Sequence, residues 1–180
     1  MRKSVSEERE LLRRASQFDT KALAEIYDTH SPGMYRYAMR LLGDAALAED
    51  CVAEAFARFL KSLQEGRGPR EHLQAYLYRI AHNWIVDFYR KQEETSGLSD
   101  AVRSEADVPE EEAAKRIRQA QMRNAILSLT PDQQQVISLK YLEDWSNEEI
   151  ARALKKPVGA VKSIQHRALK SLQKMLMEKS

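Results

Sequence analysis

The sequence predicts an all-α protein made of two small helical domains joined by a flexible acidic linker. Three observations carry that prediction. Apolar residues recur at helical spacing over most of the chain, and no stretch alternates as a strand would. Charge is unevenly divided: residues 1–92 hold 15 Lys and Arg against 13 Asp and Glu, residues 93–112 hold 1 against 8, and residues 113–180 hold 13 against 6. Net charges of +2, −7 and +7 mark a near-neutral unit, an acidic connector and a basic unit. Finally, residues 146–170, SNEEIARALKKPVGAVKSIQHRALK, read as a short capped helix, a tight turn and a second helix.

The elements follow in order. Glu7 to Gln17 reads as a helix with Leu11, Leu12 and Ala15 on its apolar side. Asp19 or Thr20 caps a second, whose buried face is marked by Leu23, Ile26 and Tyr27. Ser31-Pro32-Gly33 signals a break, yet Met34, Tyr37, Ala38, Leu41 and Leu42 continue the pattern, so a kinked helix or two joined end to end is expected. Gly43 ends it and Asp44 caps the next, over roughly 45–63, where Leu47, Cys51, Ala55, Phe56, Phe59, Leu60 and Leu63 form the apolar face. Glu49, Asp50 and Glu54 lie opposite. The polar loop QEGRGPRE at 64–71 leads into a helix over 72–91, rich in aromatic and cationic residues. Such a mixture suits stacking against unpaired bases, although two or more of Tyr76, Trp84 and Phe88 are expected in the core. Residues 93–112 lack a sustained apolar period and read as mostly disordered. A helix resumes at Ala113–Leu127, and Thr130-Pro131 starts another by an N-cap with proline at the first helical position. Val136, Ile137, Leu139 and Leu142 set that helix against the one that follows, with Trp145 as a core plug.

In the 146–170 stretch, Ser146 and Glu149 fit a capping box. Pro157 suits the first turn of a new helix, in which Val161, Ile164, Ala168, Leu169, Leu172, Met175 and Leu176 recur on one face. Lys162, His166 and Lys170 recur on another, beside Ser163 and Arg167. This is the pattern of a helix-turn-helix, whose second helix enters the DNA major groove; an ordinary helical hairpin with a solvated basic face has the same outline. Lys155 occupies the turn position usual for glycine. The five polar residues are candidates for base and phosphate contacts, and the sequence does not sort them between the two roles.

Composition narrows the classes. At 43% hydrophobic and 31% charged, with mean hydropathy −0.60, the chain has enough apolar residues for real cores, and no apolar run nears the ~20 residues of a membrane span. No membrane insertion is expected. The first residues, MRKSVSEERELLRRAS, hold no apolar stretch behind their basic residues, which argues against secretion. The lone Cys51 excludes an intramolecular disulfide and suits a reducing cytoplasm. No Gly-rich phosphate loop is present, and His30, His72, His82 and His166 share no metal-ligand spacing. The sequence therefore predicts neither an enzyme nor a cofactor or metal protein.

Taken together, from about Asp19 to Leu176, these motifs resemble an extracytoplasmic-function (group IV) sigma factor of bacterial RNA polymerase. LYRIAHNWIVDFYRK at 77–91 is similar to the family's promoter-melting helix, and AEDCVAEAFARFL at 48–60 to the helix that grips the polymerase clamp. LTPDQQQVISLKYLEDWSNEEIARAL and PVGAVKSIQHRALKSL resemble the domain that reads the minus-thirty-five element. The resemblance implies sigma region 2 at 1–92, a linker at 93–112 running through the RNA exit channel, and sigma region 4 at 113–180. It implies core polymerase binding through Glu49, Asp50 and Glu54. The minus-ten element would be melted, and its non-template strand held, by Tyr76, Arg79, Asn83, Asp87 and Arg90. The 64–71 loop, with Arg67 and Arg70, would enclose a flipped base. Duplex promoter DNA would be read through Lys162, Ser163, His166, Arg167 and Lys170, and an anti-sigma factor would occlude both domains. The sequence departs from the family pattern at Ala53 (commonly Gln), His82 (frequently Arg), Lys155 (Gly), and Ala160 and Ile164 (Thr and Arg). A free-standing helix-turn-helix regulator and an interaction adaptor using the aromatic helix are the competing readings.

Overall fold

The computed structural model describes residues 4–96 and 109–178, which contain eight α-helices and no strand. Two compact units are present, with their boundary between Trp84 and Ile85.

The first unit is opened by α1 (Val5–Ser16), which starts with a Ser4/Glu7 capping box and buries Leu11, Leu12 and Ala15. Asp19 then caps α2 (Thr20–Leu42), accepting from the Lys21 and Ala22 amides at 2.9 and 3.2 Å. The Arg14 guanidinium, 2.9 Å away, and those two amides hold the Asp19 carboxyl below its ordinary pKa. The Ser-Pro-Gly signal does not divide the element: α2 is one helix, with Pro32 inside it on the exposed side. Gly33 matters for a different reason. A Cβ there would lie 2.7 Å from the Tyr78 hydroxyl, so only glycine lets that phenol approach α2.

Gly43, at φ 66°, closes α2 in the left-handed conformation that glycine adopts without strain. Asp44 caps α3 (Ala45–Gln64), which packs against α2 and buries Cys51, Ala55, Phe56, Phe59 and Leu63. Two residues assigned to apolar faces turn outward, Tyr27 (49% exposed) and Leu60 (38%). Tyr27 nonetheless lies against Phe56 at 4.8 Å between ring centroids. Helix α4 (Leu73–Ser96) is anchored to α2 through Tyr37–Tyr78 and to α3 through Phe59–Tyr76, with ring centroids 5.2 and 6.2 Å apart. The Cys51 thiol donates to the Ala81 carbonyl at 3.6 Å, and burial pushes its pKa up to about 12, so it is a buried hydrophobe and not a reactive thiol.

Helix α4 continues to Ser96, and α5 (Glu110–Ser128) begins at Glu110, so both ends of the acidic stretch are helical. Residues 97–108, where the disordered linker was expected, lie outside the described residues. In the second unit, α6 (Pro131–Ile137) starts with a Thr130/Gln133 capping box and passes into a π-helical segment, Ser138–Leu142. Helices α7 (Asn147–Leu154) and α8 (Val158–Met177) follow, and α8 packs against α5, α6 and α7. Val136, Leu139, Trp145, Ile150, Val161, Ile164 and Ala168 make the core. Leu169 and Leu176, assigned to that core from their spacing, are exposed instead.

Candidate nucleic-acid interface

Helix α4 buries Leu77, Tyr78, Ala81 and Ile85. That fixes its rotation and leaves Arg79, Asn83, Asp87 and Arg90 exposed, three or four residues apart along one face. Tyr76 is half-buried at the head of this stripe. Its ring meets Phe59 edge-on, and the Arg79 guanidinium sits over it at 5.5 Å from the centroid, so the tyrosine braces the arginine by a cation–π contact. Arg90 and Asp87 form a loose, exposed pair at 3.7 Å. A surface pair of this kind contributes about 0–1 kcal/mol and leaves both groups able to exchange partners.

The aromatic residues of α4 divide otherwise than expected. Tyr78 and Tyr89 are buried, while Tyr76, Trp84 and Phe88 are all half-buried, so none of those three is a full core residue. His82, which stands where the family pattern has a frequent arginine, faces inward. It is buried and hydrogen-bonded through Nδ1 to the Tyr37 hydroxyl, so it belongs to the core and not to the exposed stripe.

The loop before α4 is shaped by two glycines. Gly66 adopts φ 66° in open space, and Gly68 passes so close to Leu63 that a Cβ would lie 2.4 Å from Leu63 Cδ2. Arg67 and Arg70 are exposed on this loop; Arg67 pairs with Glu65, and Arg70 lines an open cavity of about 730 Å³ between the loop and α1. The loop meets α4 through Glu8 of α1, whose carboxylate accepts from the His72 and Leu73 amides at 2.9 and 3.0 Å. Sequence reasoning missed this residue, because the partners lie more than sixty positions away and α4 carries no local cap signal.

On α3, Glu49 and Asp50 are exposed, and half-buried Glu54 pairs with Arg58 at 2.7 Å. Exposed Ala53 shares their side of the helix, making it an acidic face with small apolar residues between the charges.

In the second unit, Ser146 accepts from the Glu149 amide at 3.1 Å, and Glu149 accepts from the Ser146 amide at 2.8 Å. The turn after α7 is a Schellman arrangement, with Lys156 N bonded to Ala151 O at 2.9 Å and Lys155 N to Arg152 O at 3.3 Å. Lys155 takes the left-handed conformation, φ 54° and ψ 42°, that glycine usually supplies. Pro157 is the N-cap of α8, one position before the first turn, and has no amide to leave unpaired. Val161, Ile164 and Ala168 fix α8 to the core. Lys162, Ser163, His166, Arg167 and Lys170 are consequently all exposed together on the opposite side. Gln165 is tied to the Tyr141 hydroxyl at 2.7 Å. Among the described residues no cluster of His, Cys, Asp or Glu is arranged to hold a metal ion.

An exposed polar stripe with two arginines on α4 and a helix-turn-helix at α7 and α8 are the surfaces of a DNA-binding protein of transcription. The profile of Sigma-70 region 2 matches residues 26–95, and that of Sigma-70 region 4 matches residues 119–172. The chain is 31% identical to the ECF RNA polymerase sigma factor SigW of Bacillus subtilis, over 93% of this chain and 95% of that one. It is 32% identical to the ECF RNA polymerase sigma factor BldN of Streptomyces coelicolor, over 93% of this chain, and spans 65% of that longer protein. The solved structure of the sigma factor RpoE in complex with the anti-sigma factor NepR, from Bartonella quintana, shares the fold. It superposes with a TM-score of 0.53 at 22% identity, covering 87% of this chain and 98% of that one. The chain belongs to the ECF RNA polymerase sigma factors, which are not enzymes and which direct RNA polymerase to promoters.

Proposed function

We propose that α4 and the loop before it open the minus-ten element and hold its non-template strand. Residues 1–92 then act as sigma region 2, and residues 113–180 act as sigma region 4 on the minus-thirty-five duplex. The observation that carries this reading is the exposed stripe Arg79, Asn83, Asp87 and Arg90 on a helix whose other side is locked in the core. Two of the four groups are cations suited to a phosphate backbone, and the amide and carboxylate can pair with base edges. Arg67 and Arg70 add positive charge where a base turned out of the stack would leave its phosphate. Unstacking a base costs a few kcal/mol, which such contacts must offset.

Glu49, Asp50 and Glu54 dock α3 on the clamp of bacterial core polymerase. Lys162, Ser163, His166, Arg167 and Lys170 face the major groove and its flanking phosphates. An anti-sigma factor is a further partner, a reading supported by the complex in which RpoE was solved. No helix among the described residues is long and apolar enough to cross a membrane, and the place of action is the cytoplasm, where the polymerase works.

The test is run-off transcription with bacterial core polymerase on a promoter library, with parent, Arg79→Ala and Arg90→Ala proteins. Both variants are expected to lose open complexes while still binding polymerase. Equal loss of both activities would sink the assignment. Lys162→Ala or Lys170→Ala is expected to leave opening of a pre-bound promoter intact, while lowering the salt dependence of duplex binding by about one unit of slope for each phosphate that is no longer neutralised.

A further inference from the structure

The N-terminal helix precedes the residues that match sigma region 2, which begin at 26, yet it grips the junction on which the proposed promoter opening depends. Both carboxylate oxygens of Glu8 are engaged, one on each of two successive amides, His72 N at 2.9 Å and Leu73 N at 3.0 Å. Those are the last amide of the loop and the first of α4. Next to it, Arg9 pairs with Glu71 at 2.9 Å. An open cavity lined by Arg9, Arg13, Leu63, Gly68 and Arg70 lies between the loop and α1.

The held residue is itself unusual. His72 has φ 55°, a left-handed conformation in which a side chain is strained, with no glycine to relieve it. A conformation of that kind persists only where its surroundings impose it. Two charge-assisted hydrogen bonds donated by these amides to one carboxylate supply that constraint, and the carboxylate also places negative charge at the positive end of the α4 dipole. Helix α1 is in turn fixed by its own capping box and by buried Leu11, Leu12 and Ala15. The chain of constraint therefore runs from the α1 core face, through Glu8, to the angle at which the loop enters α4.

We propose that Glu8 is a positioning residue for minus-ten recognition: it sets the loop bearing Arg67 and Arg70 against the first turns of α4, and so fixes which minus-ten bases are accepted. This rests on the assignment of loop and α4 to the minus-ten element. Glutamine at position 8 keeps the shape but offers one acceptor oxygen to two donors, and its NH2 group would face an amide N–H.

The experiment uses the full chain with core polymerase. From the library, the strongest promoter for the parent protein is taken, together with its single-base minus-ten variants, and open complexes are counted by permanganate footprinting. The readout is the ratio of open complexes on the best promoter to those on each variant. Loss of folded protein scales all promoters alike and leaves this ratio unchanged, whereas a displaced loop changes it. Glu8→Gln is expected to lower the ratio by about 10-fold, the lower end of the scale of one lost hydrogen bond to a charged group, with polymerase binding unaltered. Arg9→Ala, which breaks only the surface pair with Glu71, is expected to lower it in the same direction by less. If Glu8→Gln fails to fold, Arg9→Ala carries the test alone. An unchanged ratio in the folded variants overturns the proposal. Arg79→Ala, run in parallel, tests the underlying assignment separately, since it must reduce opening on every promoter whatever Glu8 does.

Discussion

Replacing Gly68 with alanine would drive a methyl group into Leu63, because a Cβ at that position lies 2.4 Å from Leu63 Cδ2 and 3.5 Å from its Cγ. Leu63 is 5% exposed and cannot swing aside into solvent. Forcing extra volume into so tight a space costs about 1–3 kcal/mol. Leu63→Ala alone removes a buried side chain at about 2–5 kcal/mol. In the double variant the new methyl enters the space the leucine vacated, so the two costs should not add. A shortfall of about 0.5–3 kcal/mol from the sum is the expected coupling. Urea denaturation followed by Trp84 fluorescence, in a background where Trp145→Phe removes the second indole, measures all four stabilities. Gly66→Ala is the internal control: Gly66 has φ 66° and a Cβ there would meet no atom within 4 Å, so its cost is backbone strain alone and is indifferent to the Leu63 side chain. Additivity of Gly68→Ala and Leu63→Ala to within about 0.5 kcal/mol would refute the close approach, and with it the account of how the loop is held.

Two further outcomes follow from the cores of the two units. Cys51 keeps its proton in the folded chain until about pH 12, whereas an exposed thiol releases it near 9.0. Its contribution is therefore whole below pH 9 and is lost toward pH 12, at about 1.4 kcal/mol per unit. The stability difference between parent and Cys51→Ala should shrink accordingly above pH 9, and a flat difference would contradict the buried thiol. Lys155→Gly should stabilise the second unit by about 0.5–1 kcal/mol, since release of left-handed strain outweighs the entropy of the added glycine. A lower denaturation midpoint would show that the lysine side chain compensates for its backbone.

Helix starts and stops were legible because their causes are local. Asp19, Gly43, Asp44, Thr130, Ser146 and Lys155 act within a turn of themselves, and each does in the structure what its residue type or position implies. The rotation of α8 was legible too, since Val161, Ile164 and Ala168 recur at the helical period and bury together. What periodicity does not contain is whether another element covers the stripe it marks. Tyr27, Leu60, Leu169 and Leu176 fit their patterns and stay exposed for that reason. Of the two expectations at Ser31-Pro32-Gly33, two helices joined end to end did not form, because packing on both sides of Pro32 carries one helix through the local signal. In the sequence His82 stands out only as a position where the family pattern frequently has arginine, but its partner is Tyr37 of another helix, and only the fold brings the two together. Arg79, Asn83, Asp87 and Arg90 are exposed along α4 as their spacing implies, while Glu8, which holds the start of that helix, had no sequence mark at all.

The bond from Glu8 to the start of α4 also bears on the order in which the chain is made. Its partners lie 64 and 65 residues downstream, and a ribosome adding about 5–20 residues per second needs some 3–13 s to supply them. Through that interval the first helix, 12 residues long, is too short to persist well by itself. Helices α2 and α3 are consecutive and pack on each other at small loop-closure cost, so they are the natural seed. Helix α1, made before α2 and α3, is thus settled after them, closing over a bundle built by the residues that follow it.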